Sequence, residues 1–429
     1  MSAKKPFYSL NALRGFGAMF VVFHHILSYG YYLDPGYLPS TFKSFQNNNA
    51  ILGVLIFFVI SGTVIQLSNK QPISRSNLPS YFKKRALRIY PIYALSLVVA
   101  LLVSKNIYSA YTIAGNFTFL NIMFSDVIWE NGPIWSLQYE VLYYILFIPI
   151  SYFNLNPIRV VIAAFLIGLF NFFLYPYTQS SLLTSYSFGF VFWVCGVIVV
   201  QYTSNKADGP IVYRRLISFL FLIVCLPFLN KIQTLIIRLS ETALGYKITF
   251  PHGDVNSWFK MAINFEDFSY LPISIMLIIL FSHYKFKYQK PVFWCLQLLP
   301  AYTLFTIFKM GGQLNEWSAV FALSCYILSF VFLLNTASIN LISKKCFKIL
   351  LWLGNISYGI YIIHMPILIL FSQIFAFTGS PLTFSVRLIV YLALTILTAR
   401  FLEGTYQRFI LKFLNHQKEP VQLVLSRSD

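Results

Sequence analysis

Ionisable side chains inside long apolar stretches are costly, and in this chain they recur at four places with spacings that suit proton transfer and anion binding. The first is LRGFGAMFVVFHHI, residues 13–26. Arg14 and His25 are eleven residues apart, so on a helix turning about 100° per residue they point about 20° from one another, whereas His24 lies about 80° from Arg14. Arg14 and His25 therefore share a face, about 16 Å apart along the axis. The second is GPIWSLQYEVLYYILF, where Glu140 has Ser136 and Tyr144 one turn to either side. A carboxylate there can fix a histidine tautomer or raise its basicity. The third is LGNISYGIYIIHMPIL, with Ser357, Tyr361 and His364 at i, i+4 and i+7 on one helical face. In the fourth, FFVISG ends one apolar run and KKRALRIYP opens the next. Ser61 and Gly62 permit close backbone approach, and Arg85 and Arg88, one turn apart, can hold a phosphorylated ligand. A purely structural role stays open at each place. The arginines suit membrane-edge anchors, the histidines and Glu140 can bond neighbouring helices, and His364 can serve a helix kinked at Pro366.

The elements that must position these groups are membrane spans. Soluble domains carry about 25% charged residues; this 429-residue chain has 10%, with 58% hydrophobic residues and a mean hydropathy of +0.68. The expected fold is all-α, a polytopic bundle of ten to twelve spans. Candidates are residues 8–30, 50–67, 88–104, 133–153, 157–176, 182–202, 212–229, 267–284, 290–308, 316–336, 349–375 and 383–405. Lys and Arg concentrate in alternate connections, chiefly residues 70–88, which places both termini in the cytoplasm by the positive-inside rule. The net charge of +19 is thus topology information, and no nucleic-acid partner is expected.

The first apolar stretch reads as a retained span rather than a signal peptide, since spans continue after it. Residues 230–266, including ITFPHGDVNSW, form the main outside element, a candidate cap or acceptor-binding loop. Five scattered cysteines have no metal-ligand or disulfide spacing and read as small hydrophobes. The sequon at Asn116 reads as a chance match. On this topology the arginines lie at the inner edge, and His25 and Glu140 lie at similar depth in the outer half. An anionic donor entering from the cytoplasm and an acceptor arriving from the other side would suit that arrangement.

In order along residues 8 to about 405, the Arg14–His25 element, GVLIFFVISG, RALRIYP, WSLQYEVLYYILF and LGNISYGIYIIHMPIL resemble the motifs of the acyltransferase-3 family. These are bacterial membrane O-acyltransferases that modify surface carbohydrates. The resemblance implies transfer of an acyl group, most often acetyl, from cytoplasmic acyl-coenzyme A to a hydroxyl of a lipid-linked or exported glycan. Acyl-coenzyme A is then a co-substrate, with no permanently bound cofactor and no metal. The implied domain is residues 1–410, with 411–429 a short cytoplasmic tail, in a bacterial inner membrane.

Carried over by position, the implied site comprises His25 and Arg14, Arg85 and Arg88, then Trp135, Ser136 and Glu140, and finally Ser357, Tyr358, Tyr361 and His364. Several positions depart from the family pattern: Asn11 for a common aspartate, Leu55 for an acid or proline, Val141 for a second glutamate, and no proline after Glu403. They point to a polysaccharide-modifying branch.

The expected mechanism docks coenzyme A phosphates at Arg14, Arg85 and Arg88 and threads the pantetheine arm past Ser61 and Gly62. His25 acts as general base or acyl carrier with Glu140 orienting it, and Tyr361 or His364 donates to the oxyanion. The rival is a transporter or flippase for a lipid-linked saccharide, which needs no acyl donor but predicts inverted repeats, and none is visible in the sequence. A structural subunit would leave the buried Arg, His and Glu without a purpose.

Overall fold

Runs such as ILGVLIFFVISGTVIQLS are apolar on every side, and only helices buried among other helices or in lipid can use them. The computed structural model describes residues 5–45, 51–178, 180–203, 211–229, 231–245, 255–309 and 317–416. Within these the chain is helical, with no β-strand. The principal helices in chain order are α1 (Lys5–Ser28), α2 (Ile51–Ser68), α3 (Leu78–Val103), α4 (Trp135–Tyr152), α5 (Pro157–Thr178), α6 (Leu182–Tyr202) and α7 (Tyr213–Cys225). They continue with α8 (Leu271–Ser282), α9 (Gln289–Lys309), α10 (Trp317–Val331), α11 (Ala337–Gly354), α12 (Ser357–Ser372), α13 (Pro381–Phe401) and α14 (Gln407–His416). Their starts follow ordinary capping chemistry. Ser380 accepts from the Thr383 N–H (3.1 Å) just before Pro381 opens α13, and Asn264 and Asp267 cap one another's backbone ahead of α8.

Among the described residues seven helices are long and apolar enough to cross a membrane, or eight if one bent pair counts as a single span. The expected ten to twelve exceeds that for identifiable reasons. α4 is long enough but carries Gln138 and Glu140, and α7 and α10 have only 13 and 15 residues. The predicted span 349–375 is corrected: α11 and α12 meet at a 73° bend at residues 355–356. α14, Gln407–His416, runs across the expected boundary at residue 410. Of the expected outside loop, residues 246–254, with Lys247, Asp254 and most of ITFPHGDVNSW, lie outside the described residues.

α1 runs between two apolar cores. Leu10, Leu13 and Phe20 join one built largely from α2, α6, α7 and α8, while Ala18, Val21 and Val22 join one built from α3, α12 and α13. Two helix pairs meet backbone to backbone. A Cβ on Gly62 would stand 1.9 Å from the Trp193 carbonyl oxygen and one on Gly196 2.1 Å from that of Val59, so α2 and α6 cross through paired glycines. Gly15 and Gly354 do the same for α1 and α11, meeting the carbonyls of Leu350 and Asn11 at 2.2 and 1.9 Å. Asn116 is fully buried and donates to the carbonyls of Thr112 and Asp126, both at 2.8 Å, which leaves the sequon closed.

Candidate active site

Packing α12 and α4 beside α1 and α2 leaves a cavity of about 190 Å³. Its cationic wall is Arg14 from α1 with Arg85 and Arg88 from α3, and Ser61, Ser136, Glu140, Tyr144, Ser357, Tyr358 and Tyr361 supply the other polar groups. Apolar rings and branched chains, among them Phe57, Phe58, Val64 and Ile89, fill the spaces between.

Glu140 is held on one side only. Its Oε1 accepts from Ser61 Oγ (2.7 Å) and from the Tyr144 hydroxyl, and Ser61 in turn accepts from Trp193 Nε1 (3.2 Å). Oε2 has no hydrogen-bond partner among the described residues. Arg85 lies between the rings of Tyr81 and Tyr144, 5.8 and 5.7 Å from their centroids. Arg14 makes no ion pair among the described residues, although it feels Arg88, Glu140 and Glu403 electrostatically. Arg88 reaches Glu403 at 3.7 Å. Glu403 sits in a π-helical turn, Leu402–Tyr406, and accepts the Gly359 N–H at 2.9 Å, fixing the α13 end against α12. With three guanidiniums against two carboxylates, this end of the site is built for an anion.

The next layer on α4 and α12 joins Ser136 Oγ to the Tyr361 hydroxyl at 2.7 Å; that hydroxyl donates to the Pro133 carbonyl at 2.5 Å. Pro133 belongs to the 3₁₀ segment Trp129–Ile134, whose kink at Asn131 leads into α4. One turn further along α12, His364 Nδ1 lies 2.7 Å from the Tyr361 carbonyl, and its Nε2 lies 3.3 Å from His25 Nδ1. His25 Nδ1 also lies 2.9 Å from the Val21 carbonyl. Carbonyls only accept, so both Nδ1 atoms carry the proton, assigned here from their partners. His364 Nε2 is then an acceptor, and the His25 Nε2 lone pair has no partner among the described residues. His25 is partly exposed and stacks on Tyr29 at 6.0 Å.

The contacts distribute the expected site residues over two layers. Glu140 does not orient His25: it lies in the arginine cavity bonded to Ser61 and Tyr144, and Val21 and His364 hold His25. No hydrogen bond joins the two groups among the described residues. In this arrangement the Tyr361 hydroxyl donates to the Pro133 carbonyl and His364 Nδ1 faces the Tyr361 carbonyl. Gly62 does not line the cavity but carries the crossing onto Trp193. His25, His364 and Trp135 also lie outside that cavity. Trp135 packs edge-on against Tyr139 and Trp258, at 5.1 and 6.0 Å. Ser357 Oγ donates to the Gly354 carbonyl (2.9 Å) at the bend, and the Tyr358 hydroxyl donates to that of Ile89 (2.9 Å).

His24, as its helical angle implies, turns away. It is buried against Phe20 and Phe228, and neither ring nitrogen meets a hydrogen-bond partner among the described residues. Trp193 and Glu403 join the site without having been expected there: Glu403 is named above only for the missing proline after it, and the acid one turn past Ala399 in an apolar helix was its available signal.

A family model described as an acyltransferase domain, that of acyltransferase-3, matches residues 7–235 and 232–402. No curated protein and no solved structure matches the chain.

Proposed function

Since the chain belongs to the acyltransferase-3 family and is a membrane acyltransferase, we propose that it moves an acetyl group from acetyl-coenzyme A to a hydroxyl of a cell-surface or lipid-linked polysaccharide. The observation carrying this reading is the order of groups along α1. The arginine cavity surrounds Arg14, and a histidine with a free nitrogen lies eleven residues further along. The arginine end faces the cytoplasm of a bacterial cell, both termini lie on that side, and the acceptor approaches His25 from outside.

In the reaction, phosphates of the donor meet Arg14, Arg85 and Arg88, and the pantetheine arm runs between Ser61 and the rings of Phe57 and Phe58. Phe57 and Tyr361, 5.7 Å apart and edge to face, both line the cavity the thioester enters. His25 Nε2 takes the proton of the acceptor hydroxyl. The oxygen forms its bond to the thioester carbonyl carbon, the C–S bond breaks, and the departing thiolate recovers a proton from the imidazolium. His364 acts as a positioning residue, keeping the Nδ1 proton of His25 in place so that Nε2 stays basic. Glu140 Oε2, unpartnered in the cavity, is available to an amide N–H of the pantetheine arm.

The test is incubation of purified protein, reconstituted with an envelope glycan lipid, with acetyl-labelled coenzyme A. Stoichiometric thiol release and label on the glycan are expected. Glycan movement across the bilayer with no consumption of the thioester would replace this reading with transport.

A further inference from the structure

A second depression of about 400 Å³ opens beside the arginine cavity, between the end of α2 and the start of α3. Its wall is more strongly charged: Lys70, Lys84 and Arg85 supply charge, Gln71, Asn77 and Ser80 add polar groups, and Leu67 and Tyr81 give it apolar surface as well. Arg85 lines both spaces. Its two ring contacts divide in the same way, since Tyr81 belongs to the outer groove and Tyr144 to the inner cavity. Lys70 and Lys84 are exposed and make no ion pair among the described residues.

The groove wall is also held in shape. Ile73 is buried and donates its N–H to Ser151 Oγ at 2.9 Å, and Asn77 accepts from the Ser74 N–H (2.8 Å) and donates to the Pro72 carbonyl (3.2 Å).

Resting on the function proposed above, we infer that this groove is a separate subsite for the nucleotide end of the donor. A wider basic groove, with a face of amides and a hydroxyl beside Leu67 and Tyr81, joined through one arginine to a narrower cavity lined by Phe57, Phe58 and Val64 beyond its arginines, matches a ligand with a phosphorylated nucleotide at one end and a thin, mostly uncharged arm at the other. Lys70 and Lys84 hold the ribose 3′-phosphate as point charges, Gln71, Asn77 and Ser80 offer hydrogen bonds to the base and ribose, and Arg85 marks where the diphosphate passes to Arg14 and Arg88 with the arm beyond it. The groove therefore sets the preference for the whole coenzyme over a bare pantetheine thioester. Anionic lipid headgroups present the same phosphate chemistry to two exposed lysines, and the experiment separates the two sources.

Binding of coenzyme A and of acetyl-pantetheine is measured with the full-length protein in nanodiscs of neutral lipid, for wild type and for Lys70→Ala/Lys84→Ala. The double variant is expected to bind coenzyme A at least tenfold more weakly and acetyl-pantetheine as wild type does. Adenosine 3′,5′-bisphosphate should displace coenzyme A from the wild type and lose potency to the same degree in the variant. Both substitutions are at exposed positions, and a monodisperse elution profile checks the fold. Equal affinity of both proteins for coenzyme A, an equal loss for both ligands, no binding by the wild type, or an effect seen only with anionic lipid would each overturn the subsite. Tight, lysine-dependent binding without acyl transfer would instead overturn the proposed reaction and leave the subsite standing.

Discussion

Two adjacent histidines on α1 have opposite surroundings, and the proposal depends on that difference. His25 has one nitrogen fixed by Val21 and His364 and the other free, so His25→Ala should lower kcat by about 10²–10⁴-fold with the protein still in the membrane, read as glycan labelling at matched expression. His24 is an imidazole buried among phenylalanines with both nitrogens unpartnered among the described residues, an arrangement that costs about 1–3 kcal/mol. His24→Leu should therefore keep activity within tenfold and leave the melting temperature unchanged or higher; a large loss of activity in a well-folded protein would mean His24 belongs to the site. Glu140 gives a third test. Glu140→Gln keeps an acceptor for Ser61 and Tyr144, whereas after Glu140→Ala Ser61 Oγ can still donate to the Tyr144 hydroxyl (3.0 Å) and only the Tyr144 proton loses its acceptor, at about 1–3 kcal/mol. The alanine variant should melt well below the glutamine variant, and equal melting temperatures would show that this carboxylate does not hold the α2–α4 contact.

At the scale of the helix, spacing alone revealed which residues share a face, which is why Arg14 with His25, and Tyr361 with His364, stood out before any contact was known. It could not reveal which helix meets that face, because depth and rotation depend on the partners. α4 is set so that Glu140 enters the arginine cavity, and the 73° bend after Gly354 brings His364 up to His25 in its place. The bend itself had little signal beyond Gly354, whose role is contact with Asn11. The paired glycines are the elements' own test. Gly62→Ala and Gly354→Ala each force a Cβ to within 2 Å of a backbone carbonyl oxygen, and overpacking of this kind costs about 1–3 kcal/mol. Both variants should show lower melting temperatures in detergent. A Gly62→Ala protein as stable as wild type would contradict the backbone crossing of α2 and α6.

For the whole molecule, composition announced a helical membrane bundle, while the number of spans was less legible because α4 carries its site residues on a helix too polar to count by hydropathy. Orientation follows from the proposal. Lys70 lies in the groove beside the arginine cavity, and Phe377, exposed near the start of α13, lies past the far end of α12 from Tyr358. In a chain freed of its native cysteines, an impermeant thiol reagent added to intact cells should label Phe377→Cys and spare Lys70→Cys; labelling of both would break the assigned sides. The central claim is that an acyl group passes from a donor held at the arginine cavity to an acceptor activated at His25. It is tested most directly by reconstituting wild type and His25→Ala in sealed vesicles and following labelled acetyl-coenzyme A. The account predicts thiol release and glycan label with wild type and a rate at least about 100-fold lower with the variant. Equal labelling by the two proteins would contradict it.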